Sequence, residues 1–394
     1  MQEIIINKDK QNTKTIAIIE NGILVEQYIE KEEKERLEGN VYLGKVENIL
    51  PGMQAAFVNI GEGKNTFIHL RDILPKIDIT KNEKVDDSNL NIKDFIKRGD
   101  PILVQVERDC NNKKGPRVSK HLSLVGRYIV LMPETDIITV SQKIEDEKEQ
   151  KRLKEEIAKI LPENFGVIIR TSAVNKNINE IQKDINNLIK RWERIKDAKN
   201  KEKAPYCIER NNGIIRKIII DTIDNGIAKI TTNDKNVFEE VQEILKEFEG
   251  TKIKLELEEK EDILDTHNIR NQIEKLENRK IWLKCGGFIT IDKTEALVAI
   301  DVNSGKYTGK ESREQTVLKV NKEASVEIAK QLRLRDIGGI IIIDYIDMEK
   351  EESKKQVIKE LRDNLKKDRS KTQILEFTKL NLLEMTRKHM FSNE

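Results

Sequence analysis

Cysteine is scarce: 394 residues contain three, Cys110, Cys207 and Cys285, far apart in the chain. No CxxC pair and no Cys/His pair has the spacing of a zinc site, so a reduced, cytoplasmic setting is expected. Long apolar runs are missing too. The longest, "IGGIIIIDYI", is about half of what a membrane span needs, so no membrane partner is expected. The start, "MQEIIINKDK", has no apolar core behind a basic segment, which gives no expectation of a signal peptide. Neither charge dominates: 72 basic and 70 acidic residues leave a net charge of +2. Composition therefore argues neither for nor against a nucleic-acid partner, and any such case must rest on local patches. Internal repeats are absent.

What is present is a chain too long for one ordinary core, with 37% hydrophobic and 36% charged residues. It predicts a soluble protein of roughly two to four units. Residues 1–30 alternate like a β-meander, with Asn21-Gly22 as a type I′ hairpin turn. From Gly39, short strands punctuated by Pro51-Gly52 and Gly61-Glu62-Gly63, then "DPILVQVERD" after a polar loop, fit a small five-stranded barrel. Helices are predicted over 142–160 and 176–203, with the strand "GVIIRTSA" between them. "GIIRKIIIDTID" and "GIAKITT" read as strands, and "NVFEEVQEILKEFE" as a helix. In the last third strand and helix alternate. "GGFITIDKTEALVAIDV" is a pair of strands. Val317, Val320, Ala324, Ile328 and Leu332 mark one face of a long helix that Gly338-Gly339 would stop. "IIIIDYIDM" reads as a strand buried on both faces.

Asp301 and Asp344 each end a β-branched apolar run, "ALVAI" and "GIIII". The long helix between them is the right connection for neighbouring parallel strands, and ligands in such sheets gather outside the strand ends. Two carboxylates there would repel unless a cation sat between them, and Mg²⁺, bound through one or two carboxylates and several waters, suits that place. Asn303 would position a phosphate or a water. The competing reading is that Asp-x-Asn-Ser-Gly is simply turn chemistry. Asp347 and Asp292 compete on composition alone. In the barrel block Phe57, Phe67 and His69 fall on short strands with Lys45, Lys64 and Lys114 nearby, the pattern of single-strand nucleic-acid binding, although Phe57 in "AAFVNI" also suits a barrel core. Arg170-Thr171 beyond a strand suits a terminal phosphate, yet strand-end arginines are commonly salt-bridged. His267 reads as structural.

Taken in order, "GNVYLGKVENILPGMQAAFVNIG", "NTFIHLRDI", "GRYIVLMP", "GVIIRTSA", "GGFITIDKTEALVAIDVNSG", "EIAKQLRLRDIGGIIIIDYIDM" and "LLEMTRK" resemble the ribonuclease E/G family over nearly the whole chain, and its shorter members in particular. The resemblance implies a mixed, multidomain α/β fold. A ribonuclease-H-like subdomain would be split between 1–36 and 213–277. An S1-type OB-fold domain would fill 37–122, a 5′-sensor region 123–212, and a DNase-I-like catalytic subdomain 278–394.

It also implies roles. Asp301 and Asp344 match the Mg²⁺-binding aspartates, and Asn303 the amide beside the first. Phe57, Phe67 and Lys114 match residues that grip single-stranded RNA. Arg170 and Thr171, helped by backbone at Val130, match those that contact a 5′-monophosphate. The expected activity is Mg²⁺-dependent hydrolysis of unpaired RNA to 5′-phosphate and 3′-hydroxyl ends, in messenger turnover and in ribosomal and transfer RNA processing. The alternative is a non-catalytic RNA-binding protein acting through its OB domain, and a phosphatase or deoxyribonuclease is a further rival.

Two departures stand out. The CPxC motif through which family members share a zinc ion is missing after Met385, so a zinc link is not expected. Any homodimer would form by another contact. A basic pair expected within 137–143 is reduced to Lys143, which weakens the sensor assignment.

Overall fold

In the computed structural model, Asn21 and Gly22 both take positive φ, 51° and 80°, the pair that a type I′ turn requires. They join the strands Thr13–Glu20 and Ile23–Lys31. The structure describes residues 2–31, 37–74, 90–109, 115–210, 213–223, 226–248, 251–305 and 312–389. Two compact units result: Met1–Glu33 with Asn225–Glu394, and Lys34–Asp224.

The first unit holds two sheets. One has the order Lys254–Leu257, Ile227–Thr232, Gln2–Lys8, Thr13–Glu20, Ile23–Lys31. Gln2–Lys8 pairs in parallel with Ile227–Thr232, so this sheet joins distant parts of the sequence. Ile4, Ile5 and Ile6 are consecutive and all buried, as in a central strand covered on both faces.

The second sheet has six strands in the order Lys280–Trp282, Phe288–Lys293, Val298–Asn303, Gly339–Asp344, Leu382–Arg387, Thr372–Phe377. The helices Arg313–Leu334 and Glu351–Leu365 pack on one of its faces. Val317, Val320, Ala324, Ile328, Leu332, Val357 and Leu361 meet Ile289, Ile300, Ile341 and Ile343 there. Each such buried aliphatic side chain contributes about 1.5–3 kcal/mol. The other face is open. Along Val298–Asn303 burial alternates residue by residue, and Ile340 is 53% exposed. The reading of "IIIID" as buried on both faces is therefore corrected: both helices cover the same face, and Ile340 and Ile342 point away from it. The long helix starts at a capping box, where the Ser312 side chain accepts from the N–H of Gln315 and the Gln315 side chain accepts from the N–H of Ser312. It ends at Leu334, and Asp336 takes the left-handed φ of 44° that Gly338-Gly339 were expected to supply.

In the second unit Val41–Leu50, Ala55–Asn59, Thr66–His69, Arg117–Ser119 and Pro101–Arg108 form a five-stranded barrel. It closes where the first strand pairs with the last, consistent with an OB-like fold. A four-stranded sheet follows, ordered Ile138–Val140, Phe165–Ile169, Ile129–Pro133, Leu124–Val125. The helices Glu147–Ile160 and Ile178–Lys201 share its core. "GIIRKIIIDT" is a helix, Gly213–Thr222, and not the expected strand. Ile214, Ile215, Ile218, Ile219 and Thr222 are spaced to share a helical face, a period that the run of β-branched residues disguises.

Close approach explains Gly166. A Cβ there would lie 2.7 Å from the Ile137 carbonyl oxygen and 2.9 Å from the Ile137 nitrogen, backbone atoms just before the parallel neighbour strand Ile138–Val140. Gly166→Ala is expected to cost about 1–3 kcal/mol, as overpacking against backbone does. Urea unfolding measures it, and a loss below about 0.5 kcal/mol would mean that the strand Ile138–Val140 yields freely.

Candidate functional site

Asp301 and Asp344 are direct partners in the parallel ladder between their strands, the last of four consecutive pairs. Neighbouring strands lie about 4.8 Å apart, so the two carboxylates stand side by side on the open face. Both residues are exposed. Burial first, then the charges of Asp301 and Asp347, push the Asp344 carboxyl above the usual carboxylate range. Asn303, two residues on and on the same face, donates from Nδ2 to Asp301 Oδ2 at 2.6 Å. The amide thus fixes the Asp301 carboxylate and keeps a second N–H for another acceptor. Gly305, with φ of 58°, ends this segment where a Cβ would meet the Gly286 carbonyl oxygen at 2.5 Å.

The backbone beyond Asp344 is held from the long helix. Asn321, fully buried, donates to the Ile346 carbonyl at 2.8 Å and accepts from the Ile346 N–H at 3.1 Å. Ser325 shares a 2.7 Å hydrogen bond with the buried Tyr345 hydroxyl. Glu314 accepts from the N–H groups of Glu349 and Lys350 and from the Ser353 hydroxyl. Sequence reading missed these three. The signal was available: polar residues interrupt the apolar face of an amphipathic helix only where they have partners.

The competing acids are spoken for differently. Asp292 is gripped by both arms of Arg279, at 2.5 and 2.7 Å, which holds its carboxyl below the ordinary range. Asp347 is exposed and accepts from Asn381 at 3.4 Å. Among the described residues no group of three or more His, Cys, Asp and Glu side chains is placed to hold a metal ion. Asp301 and Asp344 offer hard carboxylate oxygens, a donor set that would fit a hydrated Mg²⁺.

On the barrel Phe57 and Phe67 are cross-strand partners whose rings meet edge-on, with centroids 6.1 Å apart. Their neighbours Ala56, Val58, Thr66 and Ile68 are buried, while both phenylalanines are partly exposed. The phenylalanines therefore lie on the outer wall, and the core reading of Phe57 does not hold. Arg117, register partner of Phe67, is held by Asp72 at 2.7 and 3.1 Å. Lys114 lies outside the described residues.

In the four-stranded sheet Val130 pairs with Ile168, and Arg170, just beyond the Ile129–Ile169 pair, donates its N–H to the Tyr128 carbonyl at 2.9 Å, so Arg170 and Thr171 lie past the strand end and Val130 within the ladder. Arg170 Nη1 donates to the carbonyl oxygens of Gly126 at 2.6 Å and Arg127 at 3.3 Å, and Nη2 pairs with Asp221. Thr171 is exposed, and Val130 is half-buried within its ladder. Beneath the turn, the buried Asp184 carboxylate accepts from the N–H groups of Arg127, Tyr128 and Ile129 at 3.2, 2.8 and 3.3 Å. Asp184 and Asp221 were not legible as partners, because each lies on a helix remote in sequence. His267 pairs with Glu258 at 3.0 Å, in keeping with a structural role.

The profile of the ribonuclease E/G family matches residues 123–390. Ribonuclease G of Escherichia coli K12 is 35% identical over 402 aligned positions, covering all of this chain and 82% of that protein. Ribonuclease G of Haemophilus influenzae is 36% identical, over 98% of this chain and 79% of its own length. Ribonuclease E of Nostoc sp. PCC 7120 is 35% identical, over 90% of this chain and 52% of its own length.

Proposed function

The chain belongs to the ribonuclease E/G family and is an endoribonuclease, and on that premise we propose that it hydrolyses single-stranded RNA with Mg²⁺ at Asp301 and Asp344. The observation that carries this reading is the direct pairing of the two aspartates on an uncovered sheet face. Asp301 and Asp344 would hold the ion, which when bound would supply charge neutralisation at the phosphate and an acidified water. Asn303 holds one oxygen of the Asp301 carboxylate in place, and its remaining N–H would meet a phosphate oxygen. The hydrogen bonds from Asn321, Ser325 and Glu314 keep the Asp344 strand end from shifting, which preserves the spacing that reaction geometry needs. The products would carry 5′-phosphate and 3′-hydroxyl ends.

The remaining assignments follow the same reading. The sheet built from Gln2–Lys31 and 226–257 is assigned to the split ribonuclease-H-like subdomain and the barrel to an S1-type domain. The region 123–212 is assigned to the 5′-sensor, and the segment from 278 to a DNase-I-like subdomain. The setting would be cytoplasmic, with roles in messenger turnover and stable-RNA processing. Among the described residues no helix is long and apolar enough to cross a membrane. The test is cleavage of an unpaired 5′-monophosphorylated oligonucleotide with Mg²⁺, with the product ends mapped. Cyclic 2′,3′-phosphate ends, or equal cleavage in a chelator, would sink the mechanism.

Phe57 and Phe67 would stack bases. Phe57→Ala or Phe67→Ala is expected to weaken RNA binding by about 1–3 kcal/mol, the worth of one base–aromatic stack. Their position on the outer wall gives the control: thermal stability should fall far less than for a core phenylalanine, which costs about 3–5 kcal/mol. A large drop in melting temperature with unchanged affinity would return both rings to a packing role.

Arg170 and Thr171 would contact a 5′-monophosphate. Because Arg170 already bonds Asp221 and two carbonyls, a phosphate would have to compete with Asp221 for Nη2. Arg170→Ala is expected to bring the rate on 5′-monophosphorylated RNA down toward that on 5′-hydroxyl RNA. An unchanged ratio of the two rates would remove Arg170 from phosphate recognition.

A further inference from the structure

Among the described residues Trp282 is the most exposed aromatic side chain, at 63%. It sits beside the carboxylate pair. Trp282 and Phe288 are register partners, Phe288 and Asn303 are register partners, and side chains opposite one another across a ladder share a face. The next row along the same face runs Lys280, Thr290, Asp301, Asp344. Trp282 is thus two strands from Asn303, about 10 Å at the backbone. Its ring meets Phe288 edge-on, with centroids 5.4 Å apart and planes at 63°. The Lys280 ammonium lies 4.2 Å from the Trp282 centroid and 3.6 Å from that of Phe288.

We infer that Lys280, Trp282 and Phe288 form a stacking platform for one base of the RNA strand, next to the scissile phosphate. The inference rests on the reading of Asp301 and Asp344 as the cutting centre. An exposed indole costs solubility unless something covers it, and the occupant is argued from charge and place. An aromatic face with an ammonium against it matches a base joined to a phosphodiester, the combination by which single strands are held without sequence preference. Lys280 already stands on the edge strand with its charge toward this face, so it meets the phosphate flanking the stacked base. Phe288 backs the indole and fixes its tilt. A strand anchored here would bring its next phosphates over Asn303 and the carboxylates. Trp282 is accordingly a positioning residue, which sets where along the strand the cut falls.

The chain has two tryptophans, and the other, Trp192, is buried. The difference in intrinsic fluorescence between wild type and Trp282→Phe therefore reads Trp282. The full chain is titrated with an unpaired RNA oligonucleotide in chelator, and cleavage is measured separately with Mg²⁺. Wild-type fluorescence is expected to be quenched, and that of Trp282→Phe is not. Trp282→Ala is expected to raise KM about 5- to 140-fold with kcat little changed, the range set by losing one base–aromatic stack. Trp282→Phe should recover most of the loss. An abasic nucleotide at the stacked position should weaken wild type and leave Trp282→Ala unaffected. Cleavage by wild type together with no quenching and an unchanged KM in Trp282→Ala overturns the platform and leaves the nuclease mechanism standing. Quenching without metal-dependent cleavage keeps the stacking site and removes the cutting centre beside it.

Discussion

Asp301→Asn and Asp344→Asn are each expected to lower cleavage of unpaired RNA by on the order of 10³-fold or more, with RNA affinity changed only a few-fold. The size follows from the chemistry: a metal ion supplies several kcal/mol of transition-state stabilisation, and each 1.4 kcal/mol is a factor of ten. Asparagine keeps the shape of the side chain but removes the charge that balances a cation. Both residues are exposed, so no fold-level cost accompanies the change. The two losses should not multiply in the double variant, because the carboxylates act as one unit. Asn303→Ala should cost less, about 10- to 100-fold, as expected for a group that orients a ligand. Single-turnover rates at several Mg²⁺ concentrations separate lost affinity for the ion from lost chemistry. A variant that retains a tenth of wild-type activity at saturating Mg²⁺ would show that its carboxylate is not part of the centre.

Arg387→Met is expected to destabilise the C-terminal sheet by about 3–5 kcal/mol, the cost of breaking a buried ion pair by removing one member. The side chain is 1% exposed. Its Nε and Nη2 bond the Asp368 carboxylate at 2.7 and 3.2 Å, and Nη1 bonds Asp336 at 2.8 Å and the Ile337 carbonyl at 2.9 Å. Methionine would fill the space and remove the guanidinium bonds of two carboxylates, Asp368 at 3% exposure and Asp336 at 13%. Asp368→Asn in the Arg387→Met background should recover part of the loss, since it removes one buried negative charge that the guanidinium had balanced. Urea unfolding followed by circular dichroism reads both. A shift below about 1 kcal/mol would mean that water reaches the cluster and the pair contributes little. Arg387 belongs to the run "LLEMTRK" that carries the family likeness, and its burial and bonds tie it to the fold.

The candidate centre was unusually legible because the signal is coarse. Two apolar strands ending in Asp, joined by a helix long enough for a parallel crossover, already place Asp301 opposite Asp344. The Asn21-Gly22 turn and the barrel were legible for a similar reason, since turn residues and short alternating strands are local features. What failed was non-local. Five isoleucines in "GIIRKIII" look alike to a strand and to a buried helix, and burial from several sides decides for the helix. "GIIIID" looks doubly buried until both neighbouring helices are found on one side. Asn321, Ser325 and Asp184 act through partners that only the assembled fold brings near. Trp282 passed unnoticed because its significance lies in which row of the sheet it shares.

The hold that the long helix keeps on the strand end beyond Asp344 has a consequence for how this region tolerates change in length. Glu314, Asn321 and Ser325 reach their partners because they share a phase around one axis. Each residue added or removed turns the remainder of a helix by about 100°. One inserted residue between Glu314 and Asn321 would leave every side chain chemically intact, yet it would aim Asn321 and Ser325 away from the backbone they hold if Glu314 stayed in place. Surface loops absorb insertions at small entropic cost. This helix behaves instead as a ruler cut to a fixed number of residues, and divergence here should proceed by substitution and not by gaps.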